Sequence, residues 1–291
     1  MSGEDREAAE WEGFGADEIA RRWSVPELHL FDAVGSTNDV ARGLAENGAP
    51  SGTVVLADEQ LAGRGRSGRH WVSPPHLGLW ISLVLRPAGM DNLEIAPLLV
   101  GLATARALEN ESGAANVSIK WPNDLLANGR KLGGILCEGV WNAKGPAFLI
   151  VGIGLNILQR EADFPEEIRH RATSLSIAAG YPPAREPVGG AIVSNVLALA
   201  ADPPKDLSAL GPELDRRDAL RDREVVITEP TSGDPRAHGT ALGIAPDGSL
   251  VLRRSDGNLE HIRSGTVRLA TEQASFRQLN RDQREWIWSS T

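Results

Sequence analysis

The sequence predicts an α+β chain: strands and helices interspersed over most of its length, then a small all-β module beginning near Asp222. Three observations carry this. Apolar runs of β type alternate with stretches of helical period up to about residue 220. Asn128-Gly129 stands between short apolar runs, which marks a hairpin because both central positions of its turn need φ > 0. After Arg223 the pattern becomes short strands, at 225–228, 241–244, 250–253 and 260–263, separated by Gly, Pro and Asp.

In chain order, residues 1–25 read as a polar leader with some helical character. Ser36, Thr37 or Asn38 can cap a helix that carries Val40, Ala41, Leu44 and Ala45 and stops before Gly48. Residues 53–57 and 79–85 are strands, with a Gly/Arg-rich stretch between them that fits neither period. Residues 93–108 are helical, with Pro97 in the first turns or at a kink. Residues 117–121 form a strand that leads into the hairpin. Two more strands, 135–140 and 148–157, are joined by a turn at 142–146, and helices follow over 191–199 and 206–220. The expected division is a leader (1–25), a main domain (26–221), a β module (222–270) and a polar tail (271–291) with Trp286 and Trp288.

Hydrophobic residues make up 41% of the 291, which suits a packed core. Thirty basic residues against thirty-nine acidic ones leave a net charge of −9. That balance argues against general binding to nucleic acid or membrane, since both need a basic face. Cys137 is the one cysteine, so neither an intrachain disulfide nor a multi-cysteine zinc site is available, and a reducing cytoplasm is the expected compartment. In its apolar strand it reads as a small core residue rather than a nucleophile. The six histidines show no metal spacing; His29 and His70 read as ordinary. The acidic, polar start is no secretory signal, and no apolar run approaches a membrane span.

The richest chemistry lies in Glu59-Gln60-Leu61-Ala62-Gly63-Arg64-Gly65-Arg66-Ser67-Gly68-Arg69-His70-Trp71. Three arginines alternate with three glycines. Guanidinium forks match phosphate oxygens, and glycine lets the backbone come close to a ligand. The same residues satisfy Gly-x-Gly-x-x-Gly, but the following Trp71-Val72-Ser73-Pro74-Pro75 cannot start the helix that a dinucleotide fold requires, so that reading is rejected. In Lys120-Trp121-Pro122-Asn123-Asp124, Lys120 can neutralise a phosphate and Asp124 can hold Mg²⁺ or accept a proton; ordinary turn chemistry accounts for the same residues equally well. Lys131 follows the hairpin turn, and Gly133-Gly134 leave a strand face bare beside it, as for a ligand. Gly152 and Gly154, in Val151-Gly152-Ile153-Gly154-Leu155-Asn156, suggest close approach of a ligand or of a packed helix. Ser36-Thr37-Asn38 combine hydroxyls and an amide that can cap a helix, meet a ligand, or both.

Together these segments resemble the biotin protein ligase family, in order and spacing from Ser36 to about Asn156, with weaker agreement at Thr173-Ser174-Leu175 and into the C-terminal module. The resemblance implies a mixed sheet with helices similar to class II aminoacyl-tRNA synthetase catalytic domains, followed by an SH3-like β-barrel. It implies an enzyme that uses ATP and Mg²⁺ to activate biotin as biotinyl-5′-AMP and then attaches biotin to a lysine of a biotin carboxyl carrier domain. Ser36, Thr37 and Asn38 match positions that meet the biotin ring system. Gln60, Gly63, Arg64 and Arg66 match the ligand loop, to which Gly65 and Trp71 also belong. Lys131 matches the lysine beside the biotin carboxylate and α-phosphate; Gly133, Gly134 and Asn156, with Gly152, match positions near the adenylate. Lys120, Asn123 and Asp124 match the nucleotide and metal side. On this reading Lys131, Arg66, Lys120 and Asp124 carry the catalysis, and Asp124 holds the metal.

Some members of the family carry an N-terminal DNA-binding winged helix. Only about 30 residues, acidic in their balance of charge, precede Ser36-Thr37-Asn38 here, so a ligase without nucleic-acid or membrane binding is expected, as a monomer or homodimer. Lipoate ligase, which shares the chemistry, is the rival enzyme reading; the Gly-Arg-Gly-Arg loop favours biotin. A biotin-responsive DNA-binding regulator is the rival from another class.

Overall fold

The computed structural model describes residues 5–86, 93–113, 116–142, 145–229 and 232–270. The polar tail, the first four residues of the leader and the centre of the turn at 142–146 lie outside them.

Eight strands form one mixed sheet: β1 (Arg6–Glu7), β2 (Leu28–Val34), β3 (Val54–Gln60), β4 (Gly78–Leu85), β5 (Val117–Lys120), β6 (Asp124–Ala127), β7 (Arg130–Asn142) and β8 (Gly145–Asn156). Their order is β1-β2-β3-β4-β8-β7-β6-β5. Only β2 and β3 run parallel; every other pair is antiparallel. The hairpin between β6 and β7 turns through Asn128 (φ 51°) and Gly129 (φ 74°), as its residues require.

Helices α1 (Ala16–Arg22), α2 (Thr37–Glu46), α3 (Ala96–Ser112), α4 (Glu166–Arg169), α5 (Leu175–Ala179), α6 (Arg185–Ala201) and α7 (Gly211–Arg217) surround the sheet. Because side chains alternate along a strand, β3 feeds two cores. Val54 and Leu56 join the large core with α3 and α6, whereas Val55 and Ala57 join a smaller one with Ala41 and Ala45 of α2. Burial on both faces explains why β4 reads Gly-Leu-Trp-Ile-Ser-Leu-Val-Leu, an almost unbroken apolar run. Pro97 sits in the first turn of α3, where its missing N–H is harmless.

Several expectations change. The leader contributes Trp11, Ile19 and Trp23 to the large core and adds β1 to the sheet edge. Arg185, 3% exposed, holds this segment in place through Glu12 and Asp58. The helix expected over 206–220 is a 3-10 turn and then α7, because Gly211-Pro212 restarts the backbone. The C-terminal module has β9 (Glu224–Thr228), β10 (Pro235–Ile244), β11 (Leu250–Arg253), β12 (Leu259–Ile262) and β13 (Thr266–Leu269). The last of these carries no turn or period strong enough to announce it.

The expected SH3-like barrel is not formed. The five strands make an open antiparallel sheet in the order β12-β11-β10-β9-β13. Closure would need β12 and β13 to pair, and each instead has a single partner, β11 and β9 respectively. This sheet packs on the main domain: Trp121 Nε1 donates to the Gly248 carbonyl (2.9 Å), and Gly248 faces Ile95. Among the described residues no helix is long and apolar enough to cross a membrane.

Candidate functional site

A cavity of about 640 Å³ opens on the α2 side of the sheet, above β4, β8 and β7. That volume lies within the range usual for sites that hold a nucleotide-sized ligand. Ser36, Thr37, Asn38, Gln60, Arg64, Gly65, Arg66, Trp71, Lys120, Asn123, Asp124, Lys131, Gly134, Gly152 and Asn156 all line it. Gly63 and Gly133 do not. A side chain at Gly63 would meet the Trp71 carbonyl and Ser73, and one at Gly133 would meet Leu155 on the core side. Both are there for backbone packing. Gly134, one residue on, faces the opposite side of β7 and therefore the cavity.

One end of the cavity is neutral and polar. Ser36 occupies the N-cap of α2, yet its side chain makes no cap bond. Capping comes from outside: Gln60 Oε1 accepts from both Thr37 N and Thr37 Oγ1 at 3.0 Å, and Gln60 Nε2 donates to Ser73 Oγ at 2.9 Å. Ser82, fully buried on β4, places Oγ 2.8 Å from Thr37 Oγ1 and 2.7 Å from Asn38 Oδ1, so its one proton is shared between two acceptors. A side chain at Gly152 would collide with the Asn38 amide, and one at Gly154 with the Trp71 indole. The bare glycines of β8 are thus the bed on which two cavity-lining side chains lie.

The other end is cationic. Lys131 Nζ donates to Asp124 Oδ1 at 2.7 Å and stands 5.3 Å from the centre of the Trp71 ring. Asn123 Nδ2 donates to the Ile135 carbonyl, and the Ile135 N–H returns a bond to the Asn123 carbonyl, which fixes the turn against β7. Among the described residues the Arg66 side chain reaches only Asn123 Oδ1, at 3.5 Å. Burial pushes its guanidinium below the ordinary value, with Asp124 pulling the other way. Lys120 has no ion-pair or hydrogen-bond partner for its ammonium among the described residues. Arg66 and Lys131 therefore share one cleft.

The segment between β3 and β4 is itself a short hairpin, bridged at Gln60↔Ser73 and Arg64↔His70. Its arginines point three ways. Arg64 pairs with Asp39 Oδ2 (2.7 Å) and Glu138 Oε2 (3.5 Å); burial works against its charge, but these carboxylates outweigh it and hold its value above the ordinary one. Arg66 turns into the cavity. Arg69 donates to Thr266 Oγ1 of β13 at 2.8 Å.

Sequence reasoning missed Ser82 and Glu138, which hold the cavity-lining Thr37 and Asn38 from behind, and Gln159, Arg171 and the wall that Gly265–Leu269 supply. A signal existed for the first two, each a polar residue inside an apolar strand. None existed for the wall, which folds back from far along the chain. His70 lines the cavity as well. Cys137 is packed against the core, where burial pushes its thiol up to about 12 and so works against the thiolate. Among the described residues no three His, Cys, Asp or Glu side chains converge as a metal cage.

Comparison with known proteins follows the same geography. The biotin/lipoate A/B protein ligase family matches residues 30–156, and the biotin protein ligase C terminal domain matches 222–269. The bifunctional ligase/repressor BirA of Bacillus subtilis is 44% identical over 154 residues, which is 53% of this chain and 47% of that relative, so the chain spans about half of its length. The biotin–[acetyl-CoA-carboxylase] ligase of Paracoccus denitrificans is 36% identical over 241 residues, 76% of this chain and 92% of that one. The structure of the Aquifex aeolicus biotin protein ligase in complex with biotin and ATP is similar with a TM-score of 0.72 and 30% identity, over 84% of this chain and all of that one.

Proposed function

Since this chain belongs to the biotin protein ligase family, we propose that it activates biotin with ATP and transfers it to a lysine of a biotin carboxyl carrier domain. The observation that carries the reading is one cavity with a neutral polar end and a cationic end. Biotin has the matching asymmetry: a ureido ring that both donates and accepts, and a carboxylate at the end of an apolar chain.

A carboxylate is a poor electrophile. Its oxygen attacks the α-phosphorus of ATP, the bond to the bridging oxygen breaks, and pyrophosphate leaves. Two anions must meet, so fixed cations are needed where negative charge gathers. Lys131 bridges the carboxylate and α-phosphate, which releases Asp124 from its ion pair. Arg66 closes over the mixed anhydride, and Lys120 faces the phosphates. Ser36, Thr37 and Asn38 take the ring, with Gln60 and Ser82 holding them, while Trp71, Gly65, Gly134, Gly152 and Asn156 shape the middle. In the second step a neutral carrier lysine attacks the acyl carbon, loses a proton and expels AMP. The loop excludes water, which would otherwise hydrolyse the intermediate.

Mg²⁺ fits here only as a companion of the nucleotide. Asp124 is one carboxylate, and Mg²⁺ commonly takes one or two together with substrate phosphates. Asp124 would hold the ion jointly with phosphate oxygens, where it would neutralise charge on the leaving group. The division into a catalytic region (26–221) and a C-terminal module (222–270) belongs to the same reading; Gly265–Leu269 at the cavity wall support a role for the module in holding the nucleotide. The lone cysteine and the need for ATP favour cytoplasmic work. The test is biotin-dependent exchange of labelled pyrophosphate into ATP. Exchange is expected with biotin and not with lipoate; no exchange with either acid would overturn the reading.

A further inference from the structure

Glu138 belongs to none of the motifs above. It stands on β7 two residues beyond Leu136, which lines the cavity, so it projects from the same face of the sheet. Three elements meet at its carboxylate. Oε2 accepts from Asn38 Nδ2 at 2.7 Å and lies 3.5 Å from Arg64 Nη2, and Oε1 lies 3.5 Å from Arg42 Nη2. Asn38 and Arg42 are one turn apart on α2, whereas Arg64 is the first arginine of the ligand loop.

Two consequences follow from the chemistry of a group that only accepts. The two ends of an asparagine amide have the same shape, and their neighbours decide which way it points. With the Glu138 carboxylate at 2.7 Å and the Leu136 carbonyl at 3.4 Å on one side, Nδ2 faces these acceptors, the carboxylate being the nearer, and Oδ1 is turned toward Ser82 over Gly152. The same oxygen attracts Arg64. The bond from Asn38, at 2.7 Å, is the short charge-assisted one, a kind about twice as strong as a neutral bond, and the longer pair with Arg64 adds to the 2.7 Å pair that Arg64 makes with Asp39, so that the carboxylate joins the root of the loop to the helix that carries Ser36, Thr37 and Asn38.

We infer that Glu138 is a positioning residue: it sets the Asn38 amide for the neutral end of the ligand and, through Arg64, fastens the root of the ligand loop. The inference rests on the ligase reading and adds to it a residue that touches no reacting atom. Two substitutions separate its two tasks. Glu138→Ala removes both, and should raise KM for biotin in pyrophosphate exchange about tenfold while KM for ATP moves less than about twofold. It should also speed release of preformed biotinyl-adenylate several-fold. Glu138→Gln keeps an oxygen that Asn38 can use and loses the attraction to Arg64, so most of its effect should fall on adenylate release. Adding Asp39→Asn, which strips the second carboxylate from Arg64, should speed release further. Wild-type values of both biotin KM and adenylate release in Glu138→Ala would overturn the inference, as would an ATP KM that rises with that for biotin. Should Glu138→Ala fail to fold by circular dichroism, Glu138→Gln decides, and an unchanged release rate would overturn it. Absence of exchange in the unsubstituted protein removes the ligase reading itself, so the two failures are told apart.

Discussion

The neutral and cationic ends of the cavity are built on opposite principles. At the neutral end the side chains are already wired to one another: Ser82 to Thr37 and Asn38, Thr37 to Gln60, Gln60 to Ser73. They stand on strands and a helix start, and Thr37, Asn38 and Ser82 are buried. At the cationic end Lys120 has no polar partner for its ammonium among the described residues, and Arg66 has only a long contact to Asn123. Neutral donors and acceptors can be satisfied in advance without losing their shape for a ligand. Cations cannot, because every internal carboxylate that satisfies them competes with the phosphate they exist to bind. Lys131 shows the compromise: it rests on Asp124 and must leave it to work. One end is finished before the ligand arrives, and the ligand completes the other.

That contrast can be broken, beginning with the largest effect. Lys131→Ala should lower biotin-dependent pyrophosphate exchange about a thousandfold, the usual scale for removing a group that meets charge built up in the transition state. Near wild-type exchange would show that the cationic end has been misassigned. Arg66→Gly should act after the chemistry, releasing biotinyl-adenylate about a hundredfold faster in a quench assay, since a buried cation facing an anion contributes on that scale. Ser82→Ala removes the proton shared by Thr37 and Asn38 and should raise biotin KM about tenfold while sparing ATP; equal effects on both substrates would mean that the two ends are not separate.

The smallest effect concerns stability, at the seam beside the cationic end. Asp218 bridges to Ile119, the neighbour of Lys120, and its Oδ2 has no hydrogen-bond partner. Burial raises its carboxyl from 3.8 to about 6, against a smaller opposing pull from the Leu220 N–H. The folded state thus binds more protons than the unfolded one between those values, and stability falls as pH rises through that window. The penalty is absent below about pH 4 and fully present above about pH 6. Asp218→Asn should therefore raise stability at pH 8 by roughly 1–2 kcal/mol and leave it nearly unchanged at pH 4. Parallel urea melts at the two pH values check this; equal shifts would mean that the carboxylate finds a partner in solution.

How much was readable beforehand depended on how far each signal reached along the chain. The Asn128-Gly129 hairpin, the strand of Gly78–Leu85 and the helix after Ser36-Thr37-Asn38 are local facts, and residues two to four apart determine them. The loop arginines were visible as a set, but not their division of labour. Asp39, Asn123 and Thr266 draw Arg64, Arg66 and Arg69 in three directions, and those partners lie 25, 57 and 197 residues away. The acidic leader hid Trp11 and Trp23 among charges, and only the buried pairs of Arg185 and Glu186 explain how it packs.

Alone, the sequence determined the chemistry on offer: which cations, which glycines, which neutral hydroxyls and amides, and the short-range turns that present them. Tertiary structure alone decided which face of a strand each residue occupies, so that Gly134 opens to the cavity while Gly133 packs inward. It likewise left the C-terminal sheet open and laid Gly265–Leu269 against the cavity. The reason is physical. Residue type and period are carried by neighbours in the chain, but facing, closure and partnership depend on contacts whose free energy is gained only after distant segments have met.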